Sequence, residues 1–224
     1  MSNSKMVSYT RLSPNNSGKR TMKIDRITPH CVVGQCSAET LGRIFSSPDK
    51  KASSNYGIGS DGRVAMYVPE NERSWCSSSA ENDHRSVTIE CASGTSAPYE
   101  MNNVVYNTLV KLCVDICKRN GKTVLLWFGD KEKTLKYSPK SNEMVLSVHR
   151  WFACKSCPGE WLYSRLDLLA KTVTHELSIS DKQRNNTYSV QVGKFKNKQN
   201  AEKCLTKIKK SGFTDAFITV TKTK

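Results

Sequence analysis

The stretch HRWFACKSCPGEW places His149, Lys155 and Cys157 within nine residues, just before Pro158 and Gly159. Imidazole and thiolate are side chains that zinc takes readily. A zinc ion that does hydrolysis needs three such donors and keeps a fourth position for water, whose pKa then falls to about 7. His149 and Cys157 can supply two of the donors, and the other histidines of the chain, His30, His84 and His175, are the candidates for the third. His175 falls late in an expected surface helix and reads as a bystander. His30 lies in an expected strand beside apolar neighbours, where a side chain can be held in one direction. Spacing alone leaves the choice open. A competing use of Cys154-Lys155-Ser156-Cys157, as half of a structural zinc ribbon, needs a second paired set of ligands that the chain does not offer.

The elements that would have to position these groups follow from periodicity. Lys23–Gly34 reads as a strand with Pro29 and His30 in its middle, and the proline suggests an edge strand or a bulge. Ser37–Phe45 carries an N-cap serine and helical spacing of Leu41, Ile44 and Phe45. Ser54–Glu70 reads as two strands joined through Ser60-Asp61-Gly62, a hairpin turn composition. In Arg85–Ser93, Val87 and Ile89 share one face of a strand, so Glu90 takes the other. Asn102–Arg119 is an amphipathic helix ending at Gly121, TVLLWFG is expected to be a fully buried strand, and a second long helix is expected over about Glu160–Leu177. Cys113 and Cys117 fall on one face of the first long helix as small buried hydrophobes. Alternating strands and helices predict an α/β domain on a central mixed β-sheet flanked by helices. The first twenty residues, rich in Ser, Asn, Lys and Gly, look like a loose arm.

Composition narrows the partners. Thirty-five basic against twenty acidic residues give +15, and residues 181–224 alone hold eleven Lys/Arg against three Asp/Glu, or +8. Such a charge draws the protein to a polyanion, whether nucleic acid, anionic lipid or a wall polymer. No aromatic-basic motif of the known nucleic-acid modules is present, so no nucleic-acid partner is expected. The longest apolar run, Val124–Phe128, is far too short to cross a bilayer, so no membrane insertion is expected. The basic N-terminus is not followed by an apolar core, so no secretory leader is expected. Nine cysteines then point to a reducing compartment.

Five segments, taken together and in order, carry a resemblance: TPH (Thr28–His30), SSNYGIGSDGRV (Ser53–Val64), NERSW (Asn71–Trp75), ND…SVTIE (Asn82–Glu90) and H…KSCPG (His149–Gly159). Over about residues 22–170 the chain resembles the zinc-dependent N-acetylmuramoyl-L-alanine amidases of type 2, the family of many phage endolysins and of the animal peptidoglycan recognition proteins. The resemblance implies Zn2+ held by His30, His149 and Cys157. It implies Lys155 as the cation at the oxyanion, Glu90 as general base toward the water, and Tyr56 as a hydrogen-bonding group near the metal. Catalytic members keep a cysteine or aspartate at the third ligand position, so Cys157 implies an enzyme. One departure stands out: members often read Trp-His-Ala-Gly where this chain has Trp75-Cys76-Ser77-Ser78, and Cys76 is not taken as a ligand.

The expected organisation is a catalytic domain over 1–177, a linker over 178–186 and a module over 187–224 made of a strand, a helix and a strand. The last part is similar to the first half of a SPOR domain, a family of wall-glycan binders that normally carries two such halves. About 38 residues bury too little to stand alone, so the tail is expected to dock on a neighbour or to pair with a second copy, giving a homodimer. The function implied is a peptidoglycan hydrolase that cuts between N-acetylmuramic acid and L-alanine. The localisation implied is that of an endolysin, held in the host cytoplasm before lysis and then acting at the cell wall. The alternative is a peptidoglycan-binding protein without activity.

Overall fold

The computed structural model describes residues 2–184 and 190–220. They fall into two compact units, Met1–Arg184 and Asn185–Lys224.

The larger unit begins with β1 (Val7–Thr10) and β2 (Asn16–Lys19), then β3 (Arg26–Cys31), α1 (Ala38–Phe45), β4 (Tyr56–Ile58), β5 (Val64–Met66) and β6 (Glu72–Ser74). It continues through α2 (Ala80–Arg85), β7 (Ser86–Cys91), α3 (Asn103–Arg119), β8 (Val124–Leu126), α4 (Lys131–Lys136), β9 (Glu143–Leu146), α5 (Glu160–Tyr163) and α6 (Leu166–Arg184). Seven strands form one sheet in the order β1-β5-β4-β7-β3-β9-β8, and β2 pairs with β6 in a second, two-stranded sheet. Within the large sheet only the β4/β5 hairpin is antiparallel. The mixed sheet with flanking helices is the architecture expected from the alternation of elements.

The main core lies between one face of this sheet and helices α3 and α6. Ile27, Val87, Ile89 and Leu146 from the strands meet Leu109, Leu112, Ile116, Leu169 and Val173 from the helices. Helix α3 forms where Asn102 accepts a hydrogen bond from Val105 N at 2.9 Å as N-cap, and its buried stripe includes both Cys113 and Cys117. A smaller cluster of Ala38, Leu41, Phe45, Ala65 and Tyr67 packs α1 onto the opposite face.

Several expectations need correction. The first twenty residues are not a loose arm: β1 joins the large sheet beside β5, and Asn15 Nδ2 donates to the carbonyls of Phe45, Ser47 and Ala52. Small polar side chains that satisfy buried backbone groups look like linker composition when read one at a time. β3 is not an edge strand either. It is buried throughout, between β7 and β9. Asp25 and Ile27 carbonyls accept from β9 and the residue that follows it, so Pro29 would offer its missing N–H to the same side, beyond the end of that ladder. TVLLWFG gives only the half-buried edge strand β8. The second long helix is broken into α5 and α6, and α6 runs on through Ser178–Arg184, where a linker is expected.

In the smaller unit α7 (Lys198–Lys210) is capped by Asn197, whose Oδ1 accepts from Gln199 N and Asn200 N. The two strands expected around it are not seen among the described residues; the start of the first, residues 187–189, lies outside them. Val190, Phe217 and Val220 stay 89%, 80% and 85% exposed, as fits a unit with too few residues to enclose a core. Among the described residues no helix is long and apolar enough to cross a membrane.

Candidate metal centre

The parallel pairing of β3 with β7 puts His30 opposite Glu90 at the C-terminal ends of two central strands. Their neighbour Ile89 belongs to the α3/α6 core, so the alternation of a strand turns His30 and Glu90 to the α1 side. The strand spacing and face read for Glu90 are therefore observed. β9 ends at Leu146 and delivers His149 in a single turn of 3-10 helix, and the loop that follows returns Cys157 to the same place. Ring and thiol donors of His30, His149 and Cys157 all lie within 4.8 Å of one another. Cys157 Sγ is 3.3 Å from His30 Nδ1, and the two imidazole centroids are 5.1 Å apart.

The electrostatics suit a metal. Burial, with His149 adding to it, holds the His30 imidazole neutral by pushing its pKa well down. Burial and then the Lys155 ammonium lower the pKa of His149 as well. Lys155 itself is exposed on the loop, and its charge is felt at that ring. Glu90 Oε1 is 3.9 Å from His30 Nδ1, and burial, with the Cys31 thiol second, pushes its carboxyl up to about 8. His30 Nε2 and Glu90 Oε2 are buried without a hydrogen-bond partner. Buried polar atoms left open in this way, beside two neutral imidazoles and a thiol, match what a zinc site of two nitrogens and one sulfur requires.

A cavity of about 240 Å3 opens beside this cluster, lined by Leu41, Ile44, Phe45, Trp75, Cys76, Glu90 and His149 among others. An apolar and aromatic wall facing a polar cluster is the usual make-up of a ligand groove.

A family model described as N-acetylmuramoyl-L-alanine amidase matches residues 20–160, and a SPOR domain model matches residues 177–224. The chain belongs to the N-acetylmuramoyl-L-alanine amidase family. It also carries a SPOR domain. Both modules imply binding to peptidoglycan. Among solved structures, an AmpD derivative is 18% identical with a TM-score of 0.52, over 75% of this chain and 96% of that one. The Staphylococcus aureus hydrolase AmiA, solved with its ligand, is 11% identical with a TM-score of 0.52, over 78% and 85%. The Apis mellifera recognition protein PGRP-SA is 13% identical with a TM-score of 0.50, over 71% and 93%. At such identities these likenesses speak for the type-2 amidase fold alone. No curated protein matches the chain.

Of the residues singled out from the sequence, the structure brings His30, His149, Cys157 and Glu90 into one cluster, with Lys155 exposed on the loop that carries Cys157. Tyr56 is not among them. It pairs with Ile89 across β4 and β7, on the face opposite Glu90, and is fully buried. Its hydroxyl donates to Glu70 Oε1 at 2.7 Å and accepts from Ser4 N at 2.9 Å, while Arg119 holds the same carboxylate. The phenol is a core anchor. The tyrosine on the face of His30 and Glu90 is Tyr67, which crowds the space above Gly57 and donates to Ala38 O at 2.7 Å.

Two residues at this cluster were given no role in the sequence reading, which set Cys76 aside as a ligand and did not single out Ser78. Cys76 places its Sγ 3.8 Å from Glu90 Oε1, and His30, Cys76 and Glu90 form a second trio of donors. Both trios share His30, whose Nδ1 lies 3.3 Å from Cys157 Sγ and 3.9 Å from Glu90 Oε1, so they form one continuous cluster of donors. Ser78 Oγ lies 3.0 Å from His149 Nε2. The departure at Trp75-Cys76-Ser77-Ser78 was the only signal pointing to either.

Proposed function

We propose that this protein is a zinc-dependent peptidoglycan hydrolase that cleaves the amide between N-acetylmuramic acid and L-alanine. The observation that carries the reading is the convergence of His30, His149 and Cys157 with an unsatisfied Glu90 beside a groove. These three residues would hold Zn2+, which would supply Lewis acidity toward the carbonyl and a water acidic enough to ionise near neutral pH. Glu90 takes the proton of the attacking water and returns it to the L-alanine amine as that group leaves. A carboxyl raised by burial is a stronger base than one in water, which suits it to both steps. Lys155 balances the negative charge that develops on the carbonyl oxygen. The groove, with Trp75 and Phe45 in its walls, orients the substrate across the metal centre.

The tail adds a second hold on the wall. Its +8 charge would keep the enzyme near an anionic polymer even without specific contacts. We read 1–177 as the catalytic part and 187–224 as the wall-binding part. The nine free thiols fit an endolysin that folds in a reducing host cytoplasm and acts on the wall once the membrane is breached. The apolar side chains left exposed on the tail favour pairing of two tails into a homodimer; a full-length chain that sediments as a monomer at micromolar concentration would remove that part.

The test of the activity is to incubate the protein with purified peptidoglycan, with zinc and then with chelator, and to identify the new ends by mass spectrometry. Free L-alanine amino termini on intact glycan strands, abolished by chelator, are expected. Binding without new ends would leave a recognition protein, and new reducing sugar ends would mean a different hydrolase.

A further inference from the structure

The turn that carries Cys76 and Ser78 is held from both sides. The Asp83 carboxylate accepts from Cys76 N at 3.0 Å and from Ser77 N at 3.1 Å. Ser77 Oγ accepts from Asn82 Nδ2 at 3.2 Å, and Ser79 Oγ caps α2 by accepting from Asn82 N. Between these anchors Ser78 has a φ of +63°, in the left-handed region that costs a residue with a Cβ. Glycine would take that conformation without strain. In this strained position the Ser78 hydroxyl meets His149 Nε2 at 3.0 Å.

A metal-binding imidazole uses one nitrogen for the metal, and the partner of the other nitrogen decides which tautomer is present and how the ring is turned. His149 stands in a short 3-10 turn, and the hydrogen bond its ring makes among the described residues is the one to Ser78. We propose that Ser78 is a positioning residue of the metal centre: its Oγ accepts the proton of His149 Nε2, which fixes the ring and leaves Nδ1 as the donor to the metal. The inference rests on the zinc reading above for its metal, but the Ser78–His149 contact exists without one. It also gives a reason for a serine at a backbone position suited to glycine, since glycine has no side chain to offer the ring an acceptor.

The test uses the full chain and three proteins: wild type, Ser78→Gly and Ser78→Asn. Zinc affinity is measured by competition with a chromophoric chelator, thermal stability on the metal-free proteins, and the His149 tautomer from the imidazole nitrogens by NMR. Loss of an outer partner to a metal-bound histidine weakens affinity by roughly 10–100-fold, and that is expected for Ser78→Gly, while its metal-free form melts no lower than wild type because strain is relieved. Ser78→Asn, which tolerates the left-handed region and keeps an acceptor, should lie nearer to wild type. The metal-free wild type should show the proton on His149 Nε2. A Ser78→Gly protein with wild-type affinity, or a wild type with the proton on Nδ1, would overturn the proposal. A wild type that binds no zinc would bring down the metal reading instead, with the tautomer still deciding the role of Ser78.

Discussion

The two faces of the central sheet are built from different chemistry. On the α3/α6 face, Ile27, Val87 and Ile89 meet a wall of Leu, Ile and Val, and what holds it is apolar area removed from water. On the α1 face, the same strands carry Thr28, Ser86 and Thr88, all buried, and they bond to Ser147, Ser74, Asn55 and Asn82. Thr28 Oγ1 reaches Ser86 Oγ at 2.6 Å and Ser147 Oγ at 2.7 Å, and Asn82 Nδ2 donates to Thr28 Oγ1 at 3.1 Å. This network leads along β3 and β7 to His30 and Glu90, where His30 Nε2 and Glu90 Oε2 are left open; at its other end Arg26 Nη2 is open as well. One face tolerates swaps of similar volume, whereas the other is directional and rigid, as befits groups that must be aimed.

Substitutions can sharpen that contrast. The largest effect should come where the polar face ends. Glu90→Gln is expected to cut kcat by about 10²–10⁴ without loss of fold or metal, read by turnover and metal content together. Lys155→Ala should follow closely, at roughly 10²-fold or more, because an oxyanion partner is removed. On the apolar face, Leu112→Ala should cost about 2–5 kcal/mol in denaturant unfolding and leave the activity of each folded molecule as it was. Thr88→Val tests the polar network between these extremes. It strips Asn55 N of its acceptor at 3.0 Å and should cost about 1–3 kcal/mol, with a fall in kcat as well, because it underlies the site. The smallest effect is expected from Tyr56→Phe: about 1 kcal/mol of stability and unchanged kcat, since its hydroxyl serves Glu70 and Ser4. A large kcat loss there would return Tyr56 to the mechanism.

The apolar face was the easier one to foresee. Val105, Leu109, Leu112 and Ile116 announce their stripe by spacing, and all four are fully buried. Alternation in Arg85–Ser93 was enough to assign Glu90 its side. The resemblance, rather than spacing, chose His30 as third donor. What stayed hidden depended on polar side chains meeting distant backbone. Ser13 and Asn15 look like linker residues until Phe45, Ser47 and Ala52 present carbonyls to them. Pro29 argued for an edge until the β9 ladder was seen to end before it. Tyr56 was assigned by position in a motif, but its face depends on its register with Ile89, which no local pattern gives. Ser78 could be found only from its backbone angle and its distance to a ring 71 residues further on.

The central claim is that the open end of the polar face is a metal centre. It is tested most directly by counting zinc per chain, by mass spectrometry of the dialysed protein, in wild type and in Cys157→Ser. One tightly held zinc in the wild type, lost in a folded Cys157→Ser, is the predicted result. A wild type that retains none, or a variant that retains it in full, would contradict the assignment of His30, His149 and Cys157.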